Sequence, residues 1–326
     1  MALFAIVMAL LLEQVRPLAP GNPAAAQLRR WVRGVGHAVD AGGRQHAWLA
    51  WTLAVIVPAL AVMGVHWLCL WLAGWPLALA WNVAVLYLTL GFRQFSHHFT
   101  GIRDALDAGD EERARQLLAR WQQVDASALP RSEIVRHVIE YSVLSAHRHV
   151  FGVLAWYSVL SMLGLGPAGA VFYRNADFAA GYWRRKLQSA DQPISAALGT
   201  LAAAAWRAID WLPARMTALA FAIVGSFEDA IDAWRQYATR EGNVNDGVIL
   251  AATSGAIGVR LGGAALRPVP QAVGIGPLPL PADLNDELPG EPAIPAHFTQ
   301  VVGLVWRTVA LWLLLLVLLT LAHVLG

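Results

Sequence analysis

Charge is scarce in this chain. Of its 326 residues only 14% are Asp, Glu, Lys or Arg, where a soluble domain carries about a quarter, and this argues against a cytosolic enzyme. The single cysteine, Cys69, sits inside an apolar run, which excludes a disulfide framework and a cysteine-rich zinc site. Lysine is nearly missing as well: of 24 basic residues only Lys186 is not arginine. A P-loop needs its lysine within GxxxxGK[ST], and Lys186 has no such setting. Ala and Gly are also abundant, so the bias points to a GC-rich coding sequence rather than to phosphate recognition. The net charge of +2 is too small to suggest a nucleic-acid partner. There is no GxSxG elbow, no HExxH pair and no internal repeat.

Apolar residues fill the space that charge leaves. They make up 57% of the chain, and the mean hydropathy is +0.49. No Asp, Glu, Lys or Arg occurs between Arg44 and Arg93. A hydrocarbon core of about 30 Å needs about 20 helical residues, so this stretch predicts a hairpin of two spans, Trp48–Ala73 and Trp75–Phe92, turning at Gly74-Trp75-Pro76. Trp48, Trp51, Trp71, Trp75 and Tyr87 lie mostly near its ends, where amphipathic rings prefer the interface. His66 falls inside the first span and is expected to be a neutral histidine bonded to the neighbouring helix. A last span is predicted over Gly303–Leu325, with Arg307 snorkelling from its first turn. Ala2–Leu12 is apolar but covers only about 17 Å as a helix; it reads as an uncleaved membrane-inserted segment closed by Glu13. Phe151–Tyr173 is uncharged and broken at Gly164-Leu165-Gly166-Pro167. Arginines flank the hairpin on both sides, placing both flanks in the cytoplasm. A full crossing by Phe151–Tyr173 would then carry Arg184, Arg185 and Lys186 outside, so this segment is expected to be re-entrant or buried in a bundle, its Gly/Pro break marking a cavity.

The remaining segments read as cytosolic helices and one linker. Ile102–Gln123 and Pro130–His149 are expected to be amphipathic helices, as is Ser226–Arg240. On the second, Glu133, His137, Glu140 and His147 fall within an arc of about 80° at about 100° per residue. The ribbon suits acid–base chemistry or, more simply, a solvated or cavity-facing surface; without HExxH-type spacing no metal is assigned. Asp210 and Arg215 flank Leu212-Pro213 within an apolar stretch, and they either pair with each other or face a ligand. Gly255–Gly263 is glycine-rich, which serves close helix packing or lets backbone amides approach a phosphate beside Arg260. Ala264–Ala296 holds eight of the 17 prolines and reads as an extended linker. The expected fold is all-α, a polytopic membrane helical bundle with cytosolic amphipathic helices. Its segments are 1–44, the hairpin 45–92, the helix pair 93–150, a membrane-associated bundle 151–263, the linker 264–300 and the last span 301–326.

Several blocks together carry a resemblance. They are GPAGAVFYR (Gly166–Arg174), DWLPARM (Asp210–Met216) and SGAIGVRLGG (Ser254–Gly263), set between the acid-closed N-terminal segment, the Trp-rich hairpin and the C-terminal span. Through them nearly the whole chain resembles the CobD/CbiB membrane proteins of cobalamin biosynthesis and their relative AmpE, linked to β-lactamase regulation. The LPAR and GxxGVRLGG blocks are most similar to the cobinamide-phosphate synthases. That resemblance implies a multi-pass protein of the bacterial inner membrane, in contact with lipid, with a corrinoid or other anionic small molecule as ligand and a second copy as a further candidate partner. It also implies ATP-dependent amide formation between adenosylcobyric acid and an aminopropanol phosphate, with ATP and Mg as cofactors if the family activity is retained.

Departures from the family pattern fall where that chemistry would sit. The early GDP…PHPV stretch is replaced by RPLAPGNPAAAQ (Arg16–Gln27), with only Asn22-Pro23 as an echo. The central ENxxDGxxAP block meets LSAHRHVFGVLA (Leu144–Ala155): Leu144 stands for the acid, Ser145 for the amide and Arg148 for the aspartate. Leu250 stands where a glutamate precedes the glycine block. Three lost carboxylates remove the means of holding Mg²⁺ and nucleotide phosphates. By resemblance Glu13 and Asp177 would bind a cation or amine, and Arg215, Gly258, Gly262 and Gly263 a phosphate. Asp210 and Arg260 join them as candidates from their own settings. Two functions stay open, a cobalamin-pathway protein and a non-catalytic AmpE-like regulator; transport through the Gly164–Pro167 break is a third, with few intramembrane charges to define a path.

Overall fold

The computed structural model describes residues 1–16, 23–187, 194–241, 244–263, 266 and 284–325. The protein is all-α apart from one short ladder. In chain order the helices are α1 (Ala2–Val15), α2 (Pro23–Val39), α3 (Arg44–Ala73), α4 (Trp75–Thr89), α5 (Phe92–Asp107), α6 (Glu111–Gln122) and α7 (Arg131–Ala146). A π-helical turn over His147–Phe151 follows, then α8 (Gly152–Met162), α9 (Ala168–Leu187), α10 (Ala196–Val224), α11 (Phe227–Glu241), α12 (Asn245–Ile257) and α13 (His297–Leu325). Strands β1 (Gly262–Gly263) and β2 (Leu284–Glu287) pair antiparallel. Contacts group the chain into two units that are discontinuous in sequence: Met1–Gln94 with Arg148–Pro213, and Phe95–His147 with Ala214–Gly326. Helices α3 and α13 are long and apolar enough to cross a membrane, and α1 and α4 are shorter apolar helices.

In the first unit α3 and α4 form the expected hairpin. Gly74 takes φ +72 at the end of α3, a left-handed conformation open to glycine, and Pro76 opens α4 where a missing N–H costs nothing. His66 of α3 is bonded to Asn82 of α4, Nδ1 to Nδ2, at 2.9 Å. Asn82 also accepts from the Tyr157 hydroxyl of α8 at 3.1 Å, so its amide is oriented with the NH₂ toward His66, and His66 Nδ1 is the acceptor. Helix α9 packs on α3 through small residues, Ala176 and Ala179 against Ala47, Ala50 and Ala54.

Prolines inside two of these helices would each strand a carbonyl four residues back. Pro58 in α3 frees the Ala54 oxygen, which accepts from Asn175 Nδ2 of α9 at 3.4 Å. Pro213 in α10 frees the Ile209 oxygen, which accepts from Trp156 Nε1 of α8 at 3.0 Å. Both breaks are thus satisfied by donors from neighbouring helices, as backbone carbonyls held away from water require.

The second unit departs from the expected pattern at several points. One helix was expected over Ile102–Gln123; instead α5 starts at Phe92 and stops at Asp107. Gly109 turns at φ +76, and Asp110 caps α6 by accepting from the Arg113 amide at 2.9 Å. A glycine in left-handed geometry followed by a side-chain cap stabilises a restart over a continuous helix. Helix α7 is not a solvated surface: nearly every residue from Ile134 to Ala146 is buried. Its acidic ribbon is neutralised inside the fold, as described below. Close packing of α11 on α12 depends on glycine, since a Cβ on Gly255 would overlap the Asp229 carbonyl, and one on Gly247 the Tyr237 ring. The proline-rich stretch is partly structured: β2 pairs with β1, and Val259 bridges Glu291. Residues 267–283 of that expected linker lie outside the described residues, as does Asn22 of the early motif. Helix α13 begins at His297, upstream of the expected Gly303, because His297 Nδ1 accepts from the Ile294 amide at 3.1 Å and fixes the entry.

Candidate functional site

The first unit buries a cluster of opposite charges around one tyrosine. Tyr173 of α9 is fully buried and donates its hydroxyl to Asp210 Oδ1 of α10 at 2.7 Å. Asp210 is also fully buried and lies one turn before the Pro213 break. Asp177, one turn along α9, is buried and accepts from Arg174 Nη1 at 3.2 Å. Asp210, Asp177 and Arg148 all lie near enough for their charges to act on the Tyr173 hydroxyl. Arg148 is itself buried and is carried by the π-helical turn, an irregularity frequent at functional sites. Gly152, at the next turn, leaves the space that the Tyr173 ring fills: a Cβ there would overlap Cζ and the hydroxyl. Trp206 of α10 covers the ring from 5.1 Å between centroids.

The second unit holds a different network, centred on Arg136 of α7. Its Nε donates to Glu133 Oε2 at 3.0 Å and its Nη1 to Glu140 Oε1 at 2.9 Å, with His137 Nε2 3.1 Å from Nη2. Nη1 also reaches the Gly262 carbonyl, and the Gly262 amide returns a bond to Glu140 Oε1 at 2.7 Å. Burial opposes ionisation of Glu133, but the hydrogen bond and charge of Arg136, with His137 adding, outweigh it and hold this carboxyl below its ordinary range. Burial likewise disfavours the charged Arg136, and the Glu140 and Glu133 carboxylates more than reverse this, so the guanidinium is held even more firmly charged. The ribbon expected from the spacing of Glu133, His137 and Glu140 is real, but it grips β1 rather than solvent. His147 instead bonds Thr217 of α10, Nδ1 to Oγ1, at 2.9 Å.

This arrangement determines what the glycine block can do. The Gly258 and Val259 amides both donate to the Ser254 carbonyl, Arg260 N donates to Glu291 O at 2.8 Å, and Gly262 N donates to Glu140. These four amides are spent within the fold, so they form no open cradle for a phosphate. Gly258 (φ +69), Gly262 (φ +84) and Gly263 (φ +92) adopt left-handed backbone that ends α12 and shapes β1. Arg260 is exposed, with Nε on the Gly290 carbonyl at 3.3 Å. Arg215 donates to Asn245 Oδ1 at the start of α12, and Glu13 is buried at the end of α1. Of the candidates read from sequence, Asp177 and Asp210 are brought together, and Arg215, Arg260 and the glycines occupy separate settings in the second unit.

A divalent cation does not fit the donors present. Among the described residues no three His, Cys, Asp or Glu side chains form a metal-holding group. Two aspartates that sit near each other are balanced by two arginines, Arg148 and Arg174, giving a formally neutral cluster rather than an open set of carboxylate oxygens. Leu144 and Leu250 are buried apolar side chains. Sequence reasoning missed Tyr173, Asn175, Trp156 and Arg136. Arg136 was legible from its i−3 and i+4 relation to Glu133 and Glu140; Asn175 and Trp156 were discoverable only by asking what caps the carbonyls freed by proline. Tyr173 lies within the GPAGAVFYR block, but nothing in the sequence singles it out from its neighbours.

A family model described as CobD/Cbib protein matches residues 4–274. A cobalamin biosynthesis protein CobD from Stutzerimonas stutzeri is 29% identical over 306 residues, spanning 93% of this chain and 91% of that protein. One from Chromobacterium violaceum is 32% identical over 227 residues, 66% of this chain and 69% of its own. A third, from Rhodobacter capsulatus, is 28% identical over 257 residues, 77% and 76% of the two chains. No solved structure matches.

Proposed function

Because the chain belongs to the CobD/CbiB family, we propose that it acts in cobalamin biosynthesis as a multi-pass protein of the bacterial inner membrane. The relatives' names support the pathway. Two long apolar helices support the location, and so does the large apolar surface they leave uncovered: Trp71 is 82% exposed, Leu72 63% and Leu318 53%. Soluble monomers rarely expose so many large apolar side chains along single helices. Helix α4, packed on α3, and α1, packed on α4, would add shorter insertions.

The working site is the buried Tyr173 cluster, and the observation that carries it is the Tyr173–Asp210 bond between two fully buried groups within electrostatic reach of Asp177 and Arg148. Buried charges are costly unless paired and bonded, and here they gather where a π-turn and a proline break interrupt the helices. An anionic side group of a corrinoid would have to displace Asp177 from Arg174, whose side chain is partly exposed. No step is assigned to ATP or Mg²⁺, because the donor set does not fit the cation. The test is growth of a strain lacking its own CobD on medium that demands cobalamin synthesis, with the chain and its Asp210→Asn variant supplied at equal membrane levels. Restored growth by the chain and loss by the variant are expected.

A second reading is specifically favoured by Arg148, which stands where the family carries an aspartate: an AmpE-like, non-catalytic regulator. On that reading the fully expressed, membrane-inserted chain fails to restore growth, and the Asp210→Asn change alters only stability.

A further inference from the structure

The second unit contains an open cleft of about 430 Å³ outside the Arg136 network described above. Its walls are the start of α11 (Ser226, Asp229), the end of α12 (Gly255–Gly258) and one face of α13, where Gln300 and Arg307 are two turns apart. The volume lies within the range of small-molecule sites, about 300–1,000 Å³. Its charges are one of each sign. Asp229 Oδ2 accepts from the Ser226 hydroxyl at 2.6 Å, and Arg307 Nε bonds the Gly303 carbonyl of its own helix at 3.2 Å. Both Asp229 and Arg307 are exposed.

Position gives this cleft its meaning. Arg307 stands two residues before the uncharged run Val309–Leu321, and exposed Trp306 precedes it. An arginine beside a tryptophan at the start of a span lies at headgroup depth. We propose that this cleft binds a zwitterionic phospholipid headgroup, with Arg307 on the phosphate and Asp229 on the ammonium, while Ser226 and Gln300 supply neutral hydrogen bonds. The inference rests on the membrane reading above. A headgroup with a phosphate but no ammonium satisfies Arg307 and leaves Asp229 without a cation, so the cleft discriminates against it. The same pairing of phosphate and ammonium occurs in free phosphoethanolamine, and the experiment separates the two sources.

The test is native mass spectrometry of the full chain in detergent, titrated with phosphatidylethanolamine, phosphatidylglycerol or soluble phosphoethanolamine. The expected preference for phosphatidylethanolamine over phosphatidylglycerol is about fivefold, the size of one partly exposed ion pair. Arg307→Gln lowers binding of both lipids by a similar factor, and Asp229→Asn abolishes the preference while retaining phosphatidylglycerol. Equal binding of the two lipids by the unaltered chain, or lipid binding indifferent to Arg307→Gln, overturns the proposal. Phosphoethanolamine binding as tightly as the lipid reassigns the cleft to a free ligand and equally overturns it. Fractionation is scored alongside: a membrane-bound chain without headgroup preference defeats the cleft alone, whereas recovery in the aqueous fraction defeats the membrane reading as well.

Discussion

Replacing Trp156 by Phe removes the indole N–H that reaches the Ile209 carbonyl at 3.0 Å and keeps most of the ring that packs edge-on against Phe172. The carbonyl needs that donor because Pro213 has no N–H to offer it. A neutral bond of this kind contributes about 1 kcal/mol net, and an unsatisfied acceptor costs about 1–3 kcal/mol; bonds measured between helices in membranes average about 0.6 kcal/mol. Trp156→Phe is therefore expected to destabilise by about 1–2 kcal/mol, part of it lost packing. Pro213→Ala restores the helical donor and makes the indole redundant for this carbonyl. In the Pro213→Ala background the same Trp156→Phe change should cost about 1 kcal/mol less. The packing loss is common to both backgrounds and cancels in the cycle. Reversible denaturant titration of the protein in mixed micelles, followed by tryptophan fluorescence, measures all four corners. Coupling within about 0.3 kcal/mol of zero would refute the claim that Trp156 caps the proline break.

Gly152→Ala should displace the Tyr173 ring and break its bond to Asp210, costing about 1–3 kcal/mol as an overpacked site; a lowered thermal midpoint with a changed tyrosine absorbance spectrum checks it. Arg136→Met leaves Glu140 buried without its cation, a loss of about 3–5 kcal/mol, and hydrogen exchange at the Gly262 amide should accelerate with it. Glu133 predicts a pH dependence: because its folded carboxyl titrates below its ordinary range, its contribution is present above that range and fades as pH falls through the lowered value. Stability of the chain should drop on acidification below about pH 4, with a smaller drop in Glu133→Gln.

The hairpin, the Gly164–Pro167 break and the helix over Phe227–Glu241 were legible because uncharged run length, glycine–proline punctuation and helical period are local signals. The restart at Asp110 was legible in part, as Gly109 and the following acids mark it, yet the helix before it began at Phe92 because its first turn carries no breaker. Burial of α7 was hidden. Glu133, His137 and Glu140 look like a wet face until Arg136 and Gly262 are known to close over them, and that contact joins residues far apart in the chain. Asp177 and Asp210 could be named from their blocks, but Tyr173, which links their charges, could be found only in three dimensions. The glycine block shows the opposite failure: its spacing permits an anion cradle, and its amides turn out to be bonded already.

Cobalamin-dependent growth of a strain without its own CobD is the direct measure of what this chain does. With protein levels in the membrane matched, the chain should restore growth, and Asp210→Asn, which removes the carboxylate charge at the Tyr173 hydroxyl, should restore little or none. A chain present in the membrane at full level that gives no growth on any inducible dose would contradict the assignment to the cobalamin pathway and leave the regulator reading in its place.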